Sequence, residues 1–238
     1  MLGYVRRIVP FSSVDGPGNR TAVFMQGCNF RCFYCHNPET QQVGDCSNPL
    51  EGVMAMDHFE VVAAVLKYRD FTQGVTLSGG ECTVQLDFLL ALCKDLQASN
   101  IEVFVDTNGH LAPRDFRQLC PYVDKFIFDV KATRIAEHTA LTGHSPELVL
   151  ENLAWAIAGK QLYEVRTVVV PDVLPNRVTV ADTSRLISVD AAIRYKLIKF
   201  RARGVGPRFG ALRTPDDQYM AGLQALALSL GVANCIIV

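Results

Sequence analysis

The chain has 238 residues, 49% of them hydrophobic, and 24 acidic against 23 basic side chains give it a net charge of -1. That is enough apolar material for one domain with a substantial core, read here as a single unit over residues 1–238, and there is no basic excess of the kind nucleic-acid binding needs. Met1 to Arg7 lead into Pro10 and Asp15 without a signal-peptide apolar run, and no window approaches a membrane span, so a cytoplasmic protein with no membrane contact is expected.

In chain order the apolar runs alternate between strand and helix patterns. The spacing predicts a strand over 21–26, a helix over 57–69, a strand over 75–77, a helix over 86–98, a strand over 103–105, a helix over 113–119 and a strand over 126–128. It continues with a helix over 147–158, a strand over 163–170, a helix over 178–188, a strand over 195–200 and a helix over 215–230. Residues 41–52, with Gly44, Asp45, Asn48 and Pro49, read as a loop, and Asp15 to Gly18 as a polar stretch just before the first strand. The repeated strand–helix units imply a parallel sheet with right-handed crossovers, either doubly wound or a partial barrel. Connections after the strands read as brief.

The unusual residues leave the strands at one edge: Gly27-Cys28, Ser78-Gly79-Gly80-Glu81, Asp106-Thr107-Asn108-Gly109, Asp129-Val130-Lys131, and Lys199 to Gly204. In barrel-like α/β enzymes that edge carries the active site, because loops from several strands converge there. Arg166 sits inside an apolar strand, where it must either face an acid or a ligand in the interior or lie on an exposed edge.

Cys28, Cys32 and Cys35 are separated by three and then two residues, whereas Cys46, Cys82, Cys93, Cys120 and Cys235 are single. A structural zinc wants four protein ligands, commonly in two pairs, and no second pair exists. In a cubane iron–sulfur cluster three cysteines leave one iron open to a small molecule. Cys93, Cys120 and Cys235 read as small buried hydrophobes.

The cysteine spacing, with Tyr34 before the third cysteine, resembles the signature of the radical S-adenosylmethionine (radical SAM) enzymes. Val14-Asp15-Gly16-Pro17-Gly18 upstream and His36-Asn37-Pro38 downstream resemble the activating enzymes of glycyl-radical enzymes, the pyruvate formate-lyase type among them. The resemblance implies a partial (β/α)6 barrel of the radical SAM type, with one four-iron cluster on Cys28, Cys32 and Cys35. Several relatives insert a ferredoxin-like module with further clusters at the 41–52 loop. Here that loop holds only Cys46, so one cluster is expected.

For SAM the resemblance implies contacts from Tyr34, His36, Asn37, Gly79, Gly80, Glu81, Asp106, Thr107, Asp129, Lys131 and Arg166, with a monovalent cation held by Asp106, Thr107 and Asp129 beside the SAM carboxylate. Each motif also has a plainer reading: a strand-to-helix turn for Gly79-Gly80-Glu81, an Asx-type turn for Asp106 to Gly109, a helix cap for Asp129, and a solvated side chain for Lys131. The chain departs from the pyruvate formate-lyase type after the sixth strand, where a proline–tyrosine–histidine element gives way to Phe200-Arg201-Ala202-Arg203; Arg201 or Arg203 is a candidate to stack on adenine instead.

The implied chemistry is reductive cleavage of SAM, fed by a flavodoxin or ferredoxin, and hydrogen abstraction from a glycine of a partner glycyl-radical enzyme by a monomeric activase. Two alternatives are a radical SAM enzyme acting on a small molecule, such as a 7-carboxy-7-deazaguanine synthase, and a noncatalytic metal or electron carrier. A carrier needs a fully ligated cluster, which three cysteines do not give.

Overall fold

The computed structural model describes residues 1–43, 50–202 and 212–238. Part of the predicted loop, with Cys46, and the segment carrying Arg203 and Gly204 lie outside these. The described chain divides into two compact units, the first made of Met1–Asn29, Glu39–Thr107 and Leu111–Phe126 and the second of Phe30–Pro38, Asn108–His110 and Ile127–Val238. No helix among the described residues is long and apolar enough to cross a membrane.

In the first unit β1 (Leu2–Ser12) pairs antiparallel with β2 (Arg20–Met25) and with β3 (Met54–Asp57). β2 pairs parallel with β4 (Gly74–Gly79), and β4 with β5 (Val103–Thr107), giving the order β3-β1-β2-β4-β5. The periodicity missed β1 and β3. β1 contains two arginines and Pro10, and most of its side chains are half-buried or exposed, so it lacks a clean alternating pattern. Asp15 to Gly18 therefore do not precede the first strand; they link two antiparallel strands.

Helices cover this sheet as the spacing predicts. α1 (His58–Leu66) starts on Asp57, which accepts from the Phe59 amide at 3.0 Å while Glu60 accepts from the Asp57 amide at 2.7 Å, a capping box. α2 (Leu86–Ala98) buries Phe88, Leu89, Leu92 and Leu96 on one face, and α3 (Pro113–Leu119) opens with proline at its first turn, where no amide is needed.

In the second unit β6 (Lys125–Asp129), which begins in the first, is followed in sheet order by β7 (Leu162–Val169), β8 (Arg194–Lys199) and β9 (Asn234–Ile237). The pairs β7–β8 and β8–β9 are parallel. Between them run α4 (Ile135–Thr142), α5 (Glu147–Ala158), α6 (Asn176–Ile187) and α7 (Asp217–Ser229). α4 was not predicted, because its eight residues mix polar and apolar positions, and it ends on Gly143 in the left-handed region at φ 88°. The stretch between β8 and α7 spans residues 200–216, so that connection is not brief. The fold is α/β with mostly parallel strands, as the alternation requires.

Candidate active site

The first cysteine begins from the first unit. The Gly27 amide donates to Thr40 O at 2.8 Å and the Cys28 amide to Gln41 O at 3.2 Å, while the Gly80 amide reaches Met25 O at 3.0 Å and the Glu81 amide reaches Gly27 O at 2.8 Å. The loop after β4 is thus stitched to the chain that leads into Cys28. Gly79 and Gly80 are required by that stitching: Gly79 holds φ 137°, and a Cβ there would meet Met25 O at 2.1 Å, one on Gly80 Gly27 O at 2.4 Å. The glycines let backbone approach backbone, which the expectation of a ligand approach did not anticipate.

Glu81 is buried, and its Oε1 accepts from the Thr83 amide at 3.1 Å, the Thr83 hydroxyl at 2.8 Å and the Thr107 hydroxyl at 2.8 Å. Asp106 accepts from Ser78 Oγ at 3.1 Å. Cys82 is buried with its sulfur 3.6 Å from both Leu77 O and Asp106 O, and burial raises its thiol pKa. It is a packing residue. Gly80, Glu81, Asp106 and Thr107 are therefore brought together around the start of the cysteine loop.

Cys32, Tyr34, Cys35 and His36 belong to the second unit, with Asp129, Lys131 and Arg166. Tyr34 is buried beside Leu141, Val170 and Phe200, with Cys32, Phe33 and Leu174 packed on the same cluster. Its hydroxyl is buried with no hydrogen-bond partner among the described residues, and burial pushes its pKa up. Lys131 Nζ lies 2.7 Å from Asp129 Oδ2 and 5.9 Å from the Tyr34 ring centre. Burial would favour neutral forms of both, but the pair outweighs it: the lysine is held above its ordinary range by Asp129, and the aspartate below its own by Lys131 and Arg166. Asp129 thus pairs with a cation and caps no helix, and Lys131 is not a solvated surface side chain.

Arg166 faces an acid, as one of its two readings required. The acid is Glu164, missed in the sequence because it lies two residues away in the same strand. Wholly buried, it receives Arg166 Nε at 2.6 Å, Lys196 Nζ at 2.9 Å and Arg194 Nε. His36 and Asn37 are exposed, with a ring nitrogen of His36 3.1 Å from Arg201 O. Asn108, rather than Asp106, makes the Asx turn, accepting from the His110 amide at 2.9 Å with Gly109 at φ 74°.

Sequence reading also missed a histidine group. Phe30, between the first two cysteines, is buried with His110, His138 and His144 at ring-centre distances of 5.5, 5.4 and 5.7 Å. His138 Nδ1 lies 2.7 Å from His144 O, and Thr142 O accepts the Arg31 amide at 3.2 Å, so α4 holds the loop from behind. Burial lowers the His138 pKa, favouring the neutral ring.

The donor set suits a cluster. The described cysteines are thiols rather than disulfides, and Cys28, Cys32 and Cys35 are half-buried, with burial pushing Cys32 up to about 11. Among the described residues no three His, Cys, Asp or Glu side chains close on a single ion. A cubane cluster does not ask for that, because each cysteine takes a different iron.

A model of the Radical SAM superfamily matches residues 22–180, a span that runs through both units. A putative glycyl-radical enzyme activating enzyme of Haemophilus influenzae is 30% identical, covering 96% of this chain and 94% of the relative. A pyruvate formate-lyase-activating enzyme of Streptococcus mutans is 35% identical over 72% of this chain and 66% of its own length. In structure, a domain of the pyruvate-formate lyase-activating enzyme from Bacteroides vulgatus superposes with a TM-score of 0.58 at 17% identity, over 69% of this chain and 98% of that one. The chain belongs to the radical SAM superfamily, and within it to the activating enzymes of glycyl-radical enzymes. That family carries a four-iron cluster and SAM, and its protein partner is a glycyl-radical enzyme. These relatives do not favour the small-molecule alternative.

Proposed function

We propose that residues 1–238 act as one radical SAM domain, with Cys28, Cys32 and Cys35 holding the cluster. SAM is received by Tyr34, His36, Asn37, Gly79, Gly80, Glu81, Asp106, Thr107, Asp129, Lys131 and Arg166. The observation that carries this reading is the pair of backbone bonds from Gly80 and Glu81 to Met25 O and Gly27 O, which tie the glycine loop to the chain entering Cys28. When bound, the reduced cluster supplies the electron that cleaves SAM to methionine and a 5′-deoxyadenosyl radical, which takes hydrogen from a glycine α-carbon of the partner.

The chain's own residues orient and shield. Lys131 and Arg166 offer positive charge to the SAM carboxylate, and Asp129 offsets part of it. Tyr34 presents an apolar ring from a buried position and keeps water from the cysteine loop. A monovalent cation held by Asp106, Thr107 and Asp129 offsets the repulsion between these acids and the SAM carboxylate, since like charges repel. Asp15 to Gly18 line the entrance for the partner's glycine segment. The electron donor is a flavodoxin or ferredoxin, and the activase works as a cytoplasmic monomer.

Reduced, cluster-loaded enzyme given SAM and the glycyl-radical protein of the same organism is expected to produce a glycyl-radical doublet in electron paramagnetic resonance, with deoxyadenosine in proportion. Deoxyadenosine formation tied instead to a small metabolite, with no protein radical, would overturn this reading.

A further inference from the structure

Glu164 and Arg166 share one face of β7, two residues and roughly 6.6 Å apart along the strand, and the register sets Arg194 and Lys196 of β8 opposite them. Glu164 Oε1 accepts Arg166 Nε at 2.6 Å and Lys196 Nζ at 2.9 Å, and Oε2 accepts Arg194 Nε. Three cations thus share one wholly buried carboxylate. Burial lowers the Lys196 pKa and the Arg166 charge adds to that, while Glu164 opposes both. The carboxylate is therefore what keeps Arg166 beside two groups that repel it.

The end of β6 runs level with Arg166. The Val130 amide donates to Arg166 O at 2.9 Å, and the Thr167 hydroxyl to Val130 O at 3.1 Å. Asp129 and Lys131 flank Val130, and Asp129 is held ionised against its burial by Lys131 first and by Arg166 next. Arg166 stands between two acids, Glu164 on its own strand and Asp129 among the residues read as receiving SAM. The short Nε bond goes to Glu164, and a bond through Nε sets the plane of the guanidinium.

We propose that Glu164 is the positioning residue of Arg166: anchored to Glu164, the guanidinium meets the SAM carboxylate instead of relaxing onto Asp129. This rests on the assignment of Arg166 to SAM given above. Charge alone predicts the opposite effect, because removing an anion from beside Arg166 leaves the site more positive and tightens a bound carboxylate. The sign of the change in affinity therefore separates positioning from charge.

SAM and its decarboxylated analogue, titrated calorimetrically into the anaerobically reconstituted enzyme, separate the carboxylate from the rest of the ligand. In E164A the affinity for SAM is expected to fall roughly 10- to 100-fold, the worth of one hydrogen bond to a charged group, with the affinity for the analogue unchanged. E164Q, which keeps an acceptor for Nε, is expected to lose less. Unchanged or tighter SAM binding in folded E164A overturns the proposal, and so does an equal loss for both ligands, which marks general damage to the site. If E164A does not fold, the double variant Glu164→Met with Lys196→Met removes one acid and one base, keeps the local charge balance and fills the volume with apolar side chains. It is expected to show the same carboxylate-specific loss, and wild-type affinity for SAM overturns the proposal. Lys196→Met alone, with the anchor intact, is expected to bind SAM as wild type does; a loss equal to that of the double variant overturns the proposal. R166Q that leaves both affinities at wild type overturns the assignment of Arg166 to SAM, whereas a carboxylate-specific loss in R166Q with none in the Glu164 variants overturns the positioning alone.

Discussion

Truncating Glu164 to alanine tests the account of the charged face of β7 and β8. The register sets Glu164 opposite Arg194 and Arg166 opposite Lys196, so three cationic side chains gather around a carboxylate with no solvent exposure. Removing that carboxylate leaves Arg166, Arg194 and Lys196 facing one another in a largely buried setting. Breaking a buried pair in this way costs about 3–5 kcal/mol, which for a chain of this length lowers Tm by roughly 6–20 °C. Glu164→Gln, which keeps shape and one acceptor, is expected to cost less. The pH dependence has a definite sign. Burial alone would raise the Glu164 pKa, but the Arg166 charge and the bonds from Arg166 and Lys196 outweigh it and hold the carboxyl below its ordinary value. Its contribution is therefore complete above the unfolded glutamate pKa of about 4.3 and is lost as pH falls through the lower folded value. Urea unfolding of the cluster-free protein under reductant, followed by circular dichroism, should show a constant gap between wild type and E164A from about pH 6 to 8, closing below about pH 4.3. Equal midpoints at neutral pH, or a gap that widens in acid, would refute the reasoning.

Anaerobically reconstituted wild type is expected to hold about four irons, and the variant with Cys28, Cys32 and Cys35 all changed to alanine almost none; a full complement in that variant, or about eight irons in wild type, defeats the assignment. Asp129→Ala should weaken SAM binding, measured by calorimetry, with iron content unchanged, and unaltered affinity in Asp106→Ala, Asp129→Ala and the double variant would remove both from the site. Gly79→Ala forces a side chain into Met25 O at φ 137° and should destabilise by more than the ~1–3 kcal/mol of backbone strain alone; a wild-type urea midpoint would contradict the geometry. Because burial holds His138 below its ordinary pKa, stability should fall as pH drops below about 6.5, where the unfolded imidazole takes a proton that the folded one resists. His138→Gln should flatten that slope, though His110, shifted the same way, keeps part of it.

Much of this protein was legible in the sequence because its signals are local. The cysteine spacing, the glycines after β4 and the alternation of apolar periods needed no partner to be read, and α2, α3 and α5 fall within the residues their spacing marked out. Cys93, Cys120 and Cys235 are buried, as solitary cysteines in such a chain should be. What the sequence could not carry is pairing across distance. β1 became a strand because β2 and β3 flank it, not because its own pattern alternates. No local signal singled out Glu164 or Arg20, because only the folded strands bring Arg194, Lys196 and Glu102 to them. Nor did any local signal mark His138 as support for the cysteine loop, since its role depends on how α4 packs behind Phe30. Charge type and motif spacing are written in single residues and short windows, whereas burial and ion pairing depend on neighbours that only the folded chain supplies.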